Sequence, residues 1–225
     1  MPSNCDFRAP GWLARHVGIA VILFIIGSLL FGAMAYDLKT NGPLIRTDLA
    51  LASSLHADAV RTASTTNETA TFGFFLGKEM LELIGVILVI YFLHKRFWPE
   101  LGMILIGWSG GTLIWTFVTR YFDRARPAAQ MGIDVHYPSF PSGHTMQAML
   151  CFGLLAYFLI PRMPSLFWKW VIAIAAVLTM LFIGASRVFQ GGHYLTDVLA
   201  GYGLGLAWGA LVYTLMEFFT LRRKT

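Results

Sequence analysis

The stretch Ser186–Asp197, SRVFQGGHYLTD, carries an arginine, a histidine and an aspartate between two long apolar runs. Ionisable side chains near membrane depth are energetically costly, which makes them candidates for a functional site. His193 and Asp197 are four residues apart, so a helix that begins near His193 places both on one face. There the carboxylate can hold one imidazole nitrogen and leave the other to react. The two glycines before His193 allow a tight turn. The alternative is a membrane helix that happens to end in polar residues.

The composition indicates a membrane protein. The 225 residues are 56% hydrophobic and 13% charged, whereas a soluble domain has about 25% charged residues. The net charge of +5 comes from short basic clusters between apolar runs, which favours membrane orientation and phosphate binding over nucleic-acid binding. Cys5 and Cys151 show neither metal-ligand spacing nor a disulfide framework.

We predict an all-α, polytopic membrane protein in which residues 1–225 form a single membrane-embedded domain. The polar segment after the first span has apolar residues at helical spacing from Ile45 to Ala59. This pattern predicts a short interfacial helix between the first two spans, with a solvated loop as the alternative. Six apolar runs can cross a bilayer core of about 30 Å, at about 17–36, 72–93, 101–119, 142–160, 168–185 and 198–219.

Six spans place both termini on one side of the membrane. The basic clusters at the termini, after the second span and between the fourth and fifth spans all fall on that side, which by the positive-inside rule is the cytoplasm. We therefore predict a multi-pass membrane protein with both termini in the cytoplasm and its site on the outer face of the membrane. The polar residues that fall on this outer face are Arg120, Arg124, Arg126, Arg187, Ser142, His144, His193 and Asp197.

Three stretches thus converge at the outer ends of the third to sixth spans. They contribute Arg126, then Pro141-Ser142-Gly143-His144, then the opening stretch with Arg187. Arginines present forks of donors that suit phosphate oxygens. The proline suits a first helical turn, and the N–H groups that follow it can form an anion site at the start of a helix.

Two histidines in one phosphate pocket suggest two different roles. One, held by Asp197, can attack phosphorus, and the other can protonate the leaving oxygen. Arginines neutralise charge without a metal, so we expect no metal and no cofactor. A metal site is the competing interpretation of two histidines and an aspartate, but the neighbouring arginines would repel a divalent cation.

The order Arg-Pro, Pro-Ser-Gly-His, then Ser-Arg, five residues, His, three residues, Asp resembles the type-2 phosphatidic acid phosphatase superfamily. The second and third motifs match in full, and the resemblance covers the chain from Val17 onward. The first motif departs from the family pattern of Lys, six residues, Arg-Pro, because Thr119 stands at the lysine position. Arg120 or Lys78 could supply the missing phosphate contact.

The resemblance implies a role for each matched residue. His193 would be the nucleophile that forms a phosphohistidine, Asp197 would orient it, and His144 would be the general acid and then the base. The phosphoryl oxygens would be held by Arg126, Ser142, Gly143 and Arg187.

The resemblance also implies metal-independent hydrolysis of a lipid phosphate or diphosphate at the outer leaflet. It implies a bacterial inner membrane, with the active site facing the periplasm or exterior. Our first choice of substrate is undecaprenyl diphosphate, and the alternatives are phosphatidylglycerol phosphate, phosphatidic acid and lipid A phosphates. A lipid phosphotransferase would need the same site. A hypothesis from another class is a non-catalytic lipid-phosphate binder or transporter, although binding alone would not need both histidines and the aspartate. The sequence leaves the oligomeric state open.

Overall fold

The protein is described by a computed structural model over residues 10–59, 78–127 and 137–222. The regular secondary structure within these ranges is helical, which confirms the all-α prediction. A 3₁₀ turn, Ile160–Arg162, follows the fifth α-helix. The α-helices are α1 (Pro10–Thr40), α2 (Pro43–Ala59), α3 (Lys78–His94), α4 (Trp98–Phe122), α5 (Gly143–Leu159), α6 (Leu166–Phe189) and α7 (Leu195–Arg222).

The described ranges contain five helices that are long and apolar enough to cross a membrane. The apolar part of α3, Met80–His94, is shorter than these. The predicted second span, 72–93, begins outside the described residues, so the count of six spans stays a prediction. The five candidate spans are Val17–Thr40, Trp98–Phe122, Gly143–Arg162, Leu166–Phe189 and Leu195–Met216.

Four helices, α1, α4, α6 and α7, extend beyond the apolar runs that predicted them. Helix α6 runs to Phe189, past the predicted end at 185, so Ser186 and Arg187 belong to its last turns. Helix α7 begins at Leu195 and not at His193. An apolar run marks the residues at bilayer depth, whereas polar residues at the membrane boundary can continue a helix.

The helix α2 lies where the sequence predicted an interfacial helix, but its inward face differs from the expected one. Ile45 and Asp48 are its buried residues, and Leu51 and Leu55 pack near the last turn of α6 and the first turns of α7. Leu49, which belonged to the predicted apolar face, is 54% exposed. Helix α2 therefore turns a carboxylate toward the rest of the protein.

Helix α7 is the centre of the bundle. It packs along α1 and also contacts α4, α5 and α6. The approach between α5 and α7 is closest at Gly201, where a Cβ atom would lie 2.1 Å from Thr145 Oγ1 and 2.5 Å from the Ser142 oxygen. This contact fixes the start of α5 against the start of α7, where the predicted site residues lie.

Candidate active site

The turn between α6 and α7 places His193. Gly191 N–H donates to Val188 O at 3.0 Å and Gly192 N–H to Arg187 O at 3.1 Å, which is the Schellman pattern that closes a helix. Gly191 has φ 69°, a left-handed conformation that glycine adopts without steric cost. The chain reverses here, and the His193 N–H also donates to Arg187 O, at 3.3 Å. The predicted tight turn is therefore present.

The imidazole of His193 is held by a backbone oxygen. Its Nδ1 lies 2.8 Å from Ser139 O, and since a carbonyl only accepts, Nδ1 carries the hydrogen. The Nε2 atom then presents a lone pair. The predicted contact with Asp197 is present as an ion-pair distance of 3.7 Å from Nδ1 to Oδ2, which is longer than a hydrogen bond.

The Asp197 carboxylate has closer partners than His193. It is fully buried and lies in the first turn of α7, where its Oδ2 accepts the Tyr194 N–H at 2.9 Å. This returning contact caps the helix. Its Oδ1 accepts a hydrogen bond of 2.6 Å from Arg124. Asp197 therefore joins the cap of α7 to an arginine that the sequence analysis placed on the outer face without a role.

Arg124 also reaches helix α2. Its guanidinium pairs with Asp48 Oδ2 at 3.0 Å, donates to Thr196 Oγ1 at 2.8 Å, and lies 4.0 Å from the centre of the Tyr194 ring. Burial raises the pKa of Tyr194; Arg124 opposes this rise, whereas Asp197 and Asp48 add to it. One guanidinium thus connects two buried carboxylates from different helices.

Arg126 lies beside the Nε2 atom of His193. Its Nη1 is 3.4 Å from His193 Nε2 and donates to Gly192 O at 2.8 Å. Its Nε donates to Tyr137 O at 2.8 Å. Burial lowers the pKa of Arg126, and the charge of Asp197 opposes that shift. Two backbone oxygens therefore hold the guanidinium of Arg126 next to His193 Nε2, where it would contact a group bound to that nitrogen.

The start of α5 contributes Ser142 as its N-cap residue. The expectation of a free Ser142 N–H does not hold, because this group donates to Asp197 O at 3.0 Å. Its hydroxyl oxygen is buried and has no hydrogen-bond partner within the described part of the chain. A buried unpaired hydroxyl is costly, which is the situation expected of a group that meets a ligand. Trp115 supports the loop by donating to Pro141 O at 2.9 Å.

His144 faces His193 across the site. The centres of the two rings are 6.1 Å apart and the rings are inclined at 69°. The two imidazoles are therefore neighbours, as required of two groups that act on one bound phosphate. The N–H of Gly143 opens α5 and has no acceptor within the helix.

The remaining predicted residues are placed as follows. Arg187 is 9% exposed and its Nε donates to Ser186 Oγ at 3.3 Å. Thr119 is fully buried, and its Oγ1 lies 3.5 Å from Pro138 O. Arg120 is exposed and is not brought to His193. Lys78 begins α3, but its side chain lies outside the described part. Across residues 10–59, 78–127 and 137–222, no group of three or more His, Cys, Asp or Glu side chains could hold a metal ion.

Sequence reasoning missed three contributors to this site. Ser139 acts through its backbone oxygen, so its residue type carries no signal. Arg124 was visible as one of the arginines on the less basic side. Asp48 could have been found as a carboxylate at helical spacing from Ile45 and Leu55, but nothing in the sequence pairs it with Arg124.

The arrangement of these residues agrees with the similarity of the chain to known proteins. The sequence profile of the PAP2 superfamily matches residues 101–221, which is more than half of the chain and includes all three motifs. The chain belongs to the PAP2 superfamily. It is therefore an enzyme of the phosphatase class, as the sequence predicted.

This PAP2 protein is 34% identical over 193 residues to phosphatidylglycerophosphatase B of Bacillus subtilis, an alignment that covers 78% of this chain and 92% of the relative. A PA-phosphatase related-family protein of Dictyostelium discoideum is 32% identical over 92 residues, which are 38% of this chain and 25% of that protein.

Two solved structures share the fold of this PAP2 protein. The crystal structure of a transmembrane PAP2-type phosphatidylglycerolphosphate phosphatase from Bacillus subtilis superposes with a TM-score of 0.67 at 27% identity, and covers 87% of this chain and 94% of that one. Aquifex aeolicus LpxE superposes with a TM-score of 0.50 at 21% identity, and covers 64% and 82%. The PAP2 protein is thus a membrane protein with the helical PAP2 fold.

Proposed function

We propose that this enzyme hydrolyses the phosphate ester of a membrane lipid through a phosphohistidine on His193. The observation that carries the proposal is the orientation of the His193 ring. Its Nδ1 is tied to Ser139 O at 2.8 Å, so Nε2 carries the lone pair and lies 3.4 Å from Arg126 Nη1. A nucleophile with a fixed tautomer beside a phosphate-binding arginine suits phosphoryl transfer.

In the first step, His193 Nε2 forms a bond to phosphorus and the bond from phosphorus to the lipid oxygen breaks. His144 gives its proton to that oxygen, and the lipid leaves as an alcohol, or as a monophosphate if the substrate is a diphosphate. The two ring centres are 6.1 Å apart, which supports the assignment of both histidines to one phosphoryl group.

In the second step, water attacks the phosphohistidine. His144, now without its proton, takes one from the water, the bond between Nε2 and phosphorus breaks, and inorganic phosphate leaves. The ring of His193 gains positive charge when Nε2 is bonded to phosphorus, and the carboxylate of Asp197 at 3.7 Å from Nδ1 stabilises that charge. We assign no step to a metal or cofactor.

The phosphoryl oxygens are bound by Arg126, Ser142, Gly143 and Arg187. Arg126 is adjacent to Nε2, and the unpaired Ser142 hydroxyl gains an acceptor when phosphate binds. Arg187 is nine-tenths buried at the end of α6, so its charge acts in a poorly solvated position where it is strong. Arg120 and Lys78 remain untested as replacements for the family lysine.

The substrate that the similarities support is phosphatidylglycerophosphate. The curated relative and the solved structure with greater similarity both carry this activity in their names, and the alignment covers most of both proteins. Undecaprenyl diphosphate, the first choice from sequence, stays a prediction without a residue that specifies it.

We further propose the topology predicted from sequence. Residues 1–225 form one domain with six spans, α2 lies at the membrane surface, both termini are cytoplasmic, and the site opens at the outer face of a bacterial inner membrane. The proposal is supported by the contacts among the start of α5, the end of α6 and the start of α7. These are ends of candidate spans, where a lipid headgroup can enter from the bilayer.

The test is phosphate release by the purified protein in detergent, with EDTA and without added metal. The panel contains phosphatidylglycerophosphate, phosphatidic acid, undecaprenyl diphosphate and a lipid A phosphate. We expect EDTA-resistant release that is fastest with phosphatidylglycerophosphate and is lost in His193→Ala and His144→Ala. If none of these lipids releases phosphate, the proposal is overturned. In that case, transfer of labelled phosphate to a second lipid would indicate a phosphotransferase, and binding without transfer a lipid-phosphate binder.

A further inference from the structure

A carboxylate from the segment after the first span contacts α7, the helix that carries Asp197. Asp48 lies on α2 and is 2% exposed. Its Oδ1 accepts the Thr196 N–H at 3.1 Å, and its Oδ2 accepts the Thr196 hydroxyl. Thr196 is in the first turn of α7, where backbone N–H groups have no partner within the helix. Asp48 therefore caps α7 from another helix, 148 residues away in sequence.

The same carboxylate fixes Arg124. Arg124 spans Asp48 Oδ2 at 3.0 Å and Asp197 Oδ1 at 2.6 Å, and its own side chain is 8% exposed. A guanidinium presents several donors in one rigid plane, so it can bridge two carboxylates at once. Removing one member of a buried group of charges leaves the others without compensation. The direction of Arg124 therefore depends on both carboxylates.

We infer that Asp48 is a positioning residue for the proposed phosphatase reaction. It holds Arg124 and the first turn of α7, and these hold Asp197 and His193 at the reacting geometry. Asp48 touches Arg124 and Thr196 and has no described contact with the histidines or with the proposed phosphate ligands, so its effect is indirect. This inference rests on the proposed function, and it gives α2 a role in catalysis.

The contacts define how a loss of Asp48 will show in kinetics. Arg126 is held by the oxygens of Gly192 and Tyr137, which do not involve Asp48. Binding of the phosphate group should therefore persist when Asp48 is changed. A displaced Arg124 lets Asp197 and His193 shift, and a shift on the order of 1 Å can cost about 100-fold in rate. The loss should thus appear in kcat and not in KM.

The experiment compares Asp48→Asn with Asp37→Asn. Asp37 is a matched control because it is also buried and also caps a helix, in this case α2, by accepting the Ile45 N–H at 2.9 Å. In the described structure it has no hydrogen bond or ion pair with Arg124 or with α7. The substrate is the lipid phosphate that the wild type hydrolyses fastest. We expect Asp48→Asn to lower kcat by about 10- to 100-fold and to keep KM within about threefold of the wild-type value. Asp37→Asn should keep both constants.

A second variant covers the case in which Asp48→Asn does not fold. Arg124→Lys retains the positive charge but cannot bridge both carboxylates, so it should show the same loss of kcat at constant KM. If both single variants fold, the double variant should be no slower than the slower single one, because they remove one linkage.

Three results would count against the inference. They are an Asp48→Asn enzyme with unchanged kcat, an Asp48→Asn enzyme with KM raised more than about threefold, and additive losses in the double variant. Each would overturn the positioning role, and wild-type activity would leave the proposed function intact. Absence of phosphate release by the wild type itself would overturn the proposed function, and the positioning role with it.

Discussion

The Nδ1 atom of His193 lies 2.8 Å from the backbone oxygen of Ser139. The carboxylate that the sequence motif assigns to this histidine, Asp197, is 3.7 Å away and is engaged by Arg124 and by the cap of α7. The tautomer of His193 is therefore set by a neutral carbonyl. Asp197 is left to stabilise charge that develops on the ring and to hold the start of α7.

Ser139→Ala should retain activity, because the oxygen that orients His193 belongs to the backbone. The substitution removes the hydrogen bond from Ser139 Oγ to Ala125 O, which is 3.2 Å long, and should lower stability by about 0.5–1.5 kcal/mol. Activity and thermal unfolding in detergent measure the two effects. A rate as low as that of His193→Ala would show that the serine side chain acts in the chemistry.

Ser142→Ala should lower activity without lowering stability, the reverse of Ser139→Ala. Its hydroxyl is buried without a partner in the described structure, so its removal should leave Tm unchanged or raise it. The proposed contact with phosphate is lost, and kcat/KM should fall by about 10-fold or more. The same two assays, run beside Ser139→Ala, separate a ligand-binding serine from a structural one. Unchanged kcat/KM would exclude Ser142 as a phosphate ligand.

His193→Ala should abolish the covalent intermediate. Acid-labile, base-stable labelling of the wild type by a lipid carrying radioactive phosphate is expected, and kcat in the variant should fall by about 10³-fold or more. His94→Ala is the matched control, since His94 ends α3 and is not among the site residues. Labelling of His193→Ala at the wild-type level would place the nucleophile elsewhere.

Gly191→Ala should destabilise the turn that places His193. A side chain at φ 69° costs roughly 1–2 kcal/mol, and activity should fall with the lower Tm. Gly192→Ala is the control, because a Cβ there would meet its nearest atoms at 3.8 Å and 3.9 Å, which is ordinary contact. Equal Tm values for the two variants would contradict the capping role of Gly191.

Gly201→Ala should push α5 away from α7 at the site. The added methyl group would lie 2.1 Å from Thr145 Oγ1 and 2.5 Å from Ser142 O, so the start of α5, with Ser142 and His144, has to move. We expect kcat to fall by about 100-fold for a displacement on the order of 1 Å. In Gly153→Ala no other part of the described chain lies within 4 Å of the added group, so kcat should stay at the wild-type value.

Much of this site could be predicted from sequence because the residues are in short motifs. Ser142 and His144 open one helix, while Arg187, His193 and Asp197 lie around one turn. Ionisable groups between apolar runs are conspicuous because lipid does not tolerate them without a reason. The apolar runs likewise predicted an all-helical membrane protein, since backbone groups in lipid must pair within the segment.

Only the tertiary structure could show which groups these residues contact. The backbone oxygen of Ser139, the Asp48 carboxylate and the guanidinium of Arg124 reach the site through contacts between distant segments. Local periodicity does not encode such pairs, and a backbone oxygen is present at every position. The sequence by itself determined the chemical groups of the site and the helices that carry them, because motif spacing and hydropathy are local properties. The packing of α2, α5 and α7 decided the tautomer of His193 and the partners of Asp197, because hydrogen bonds between distant residues exist only once the helices have come together.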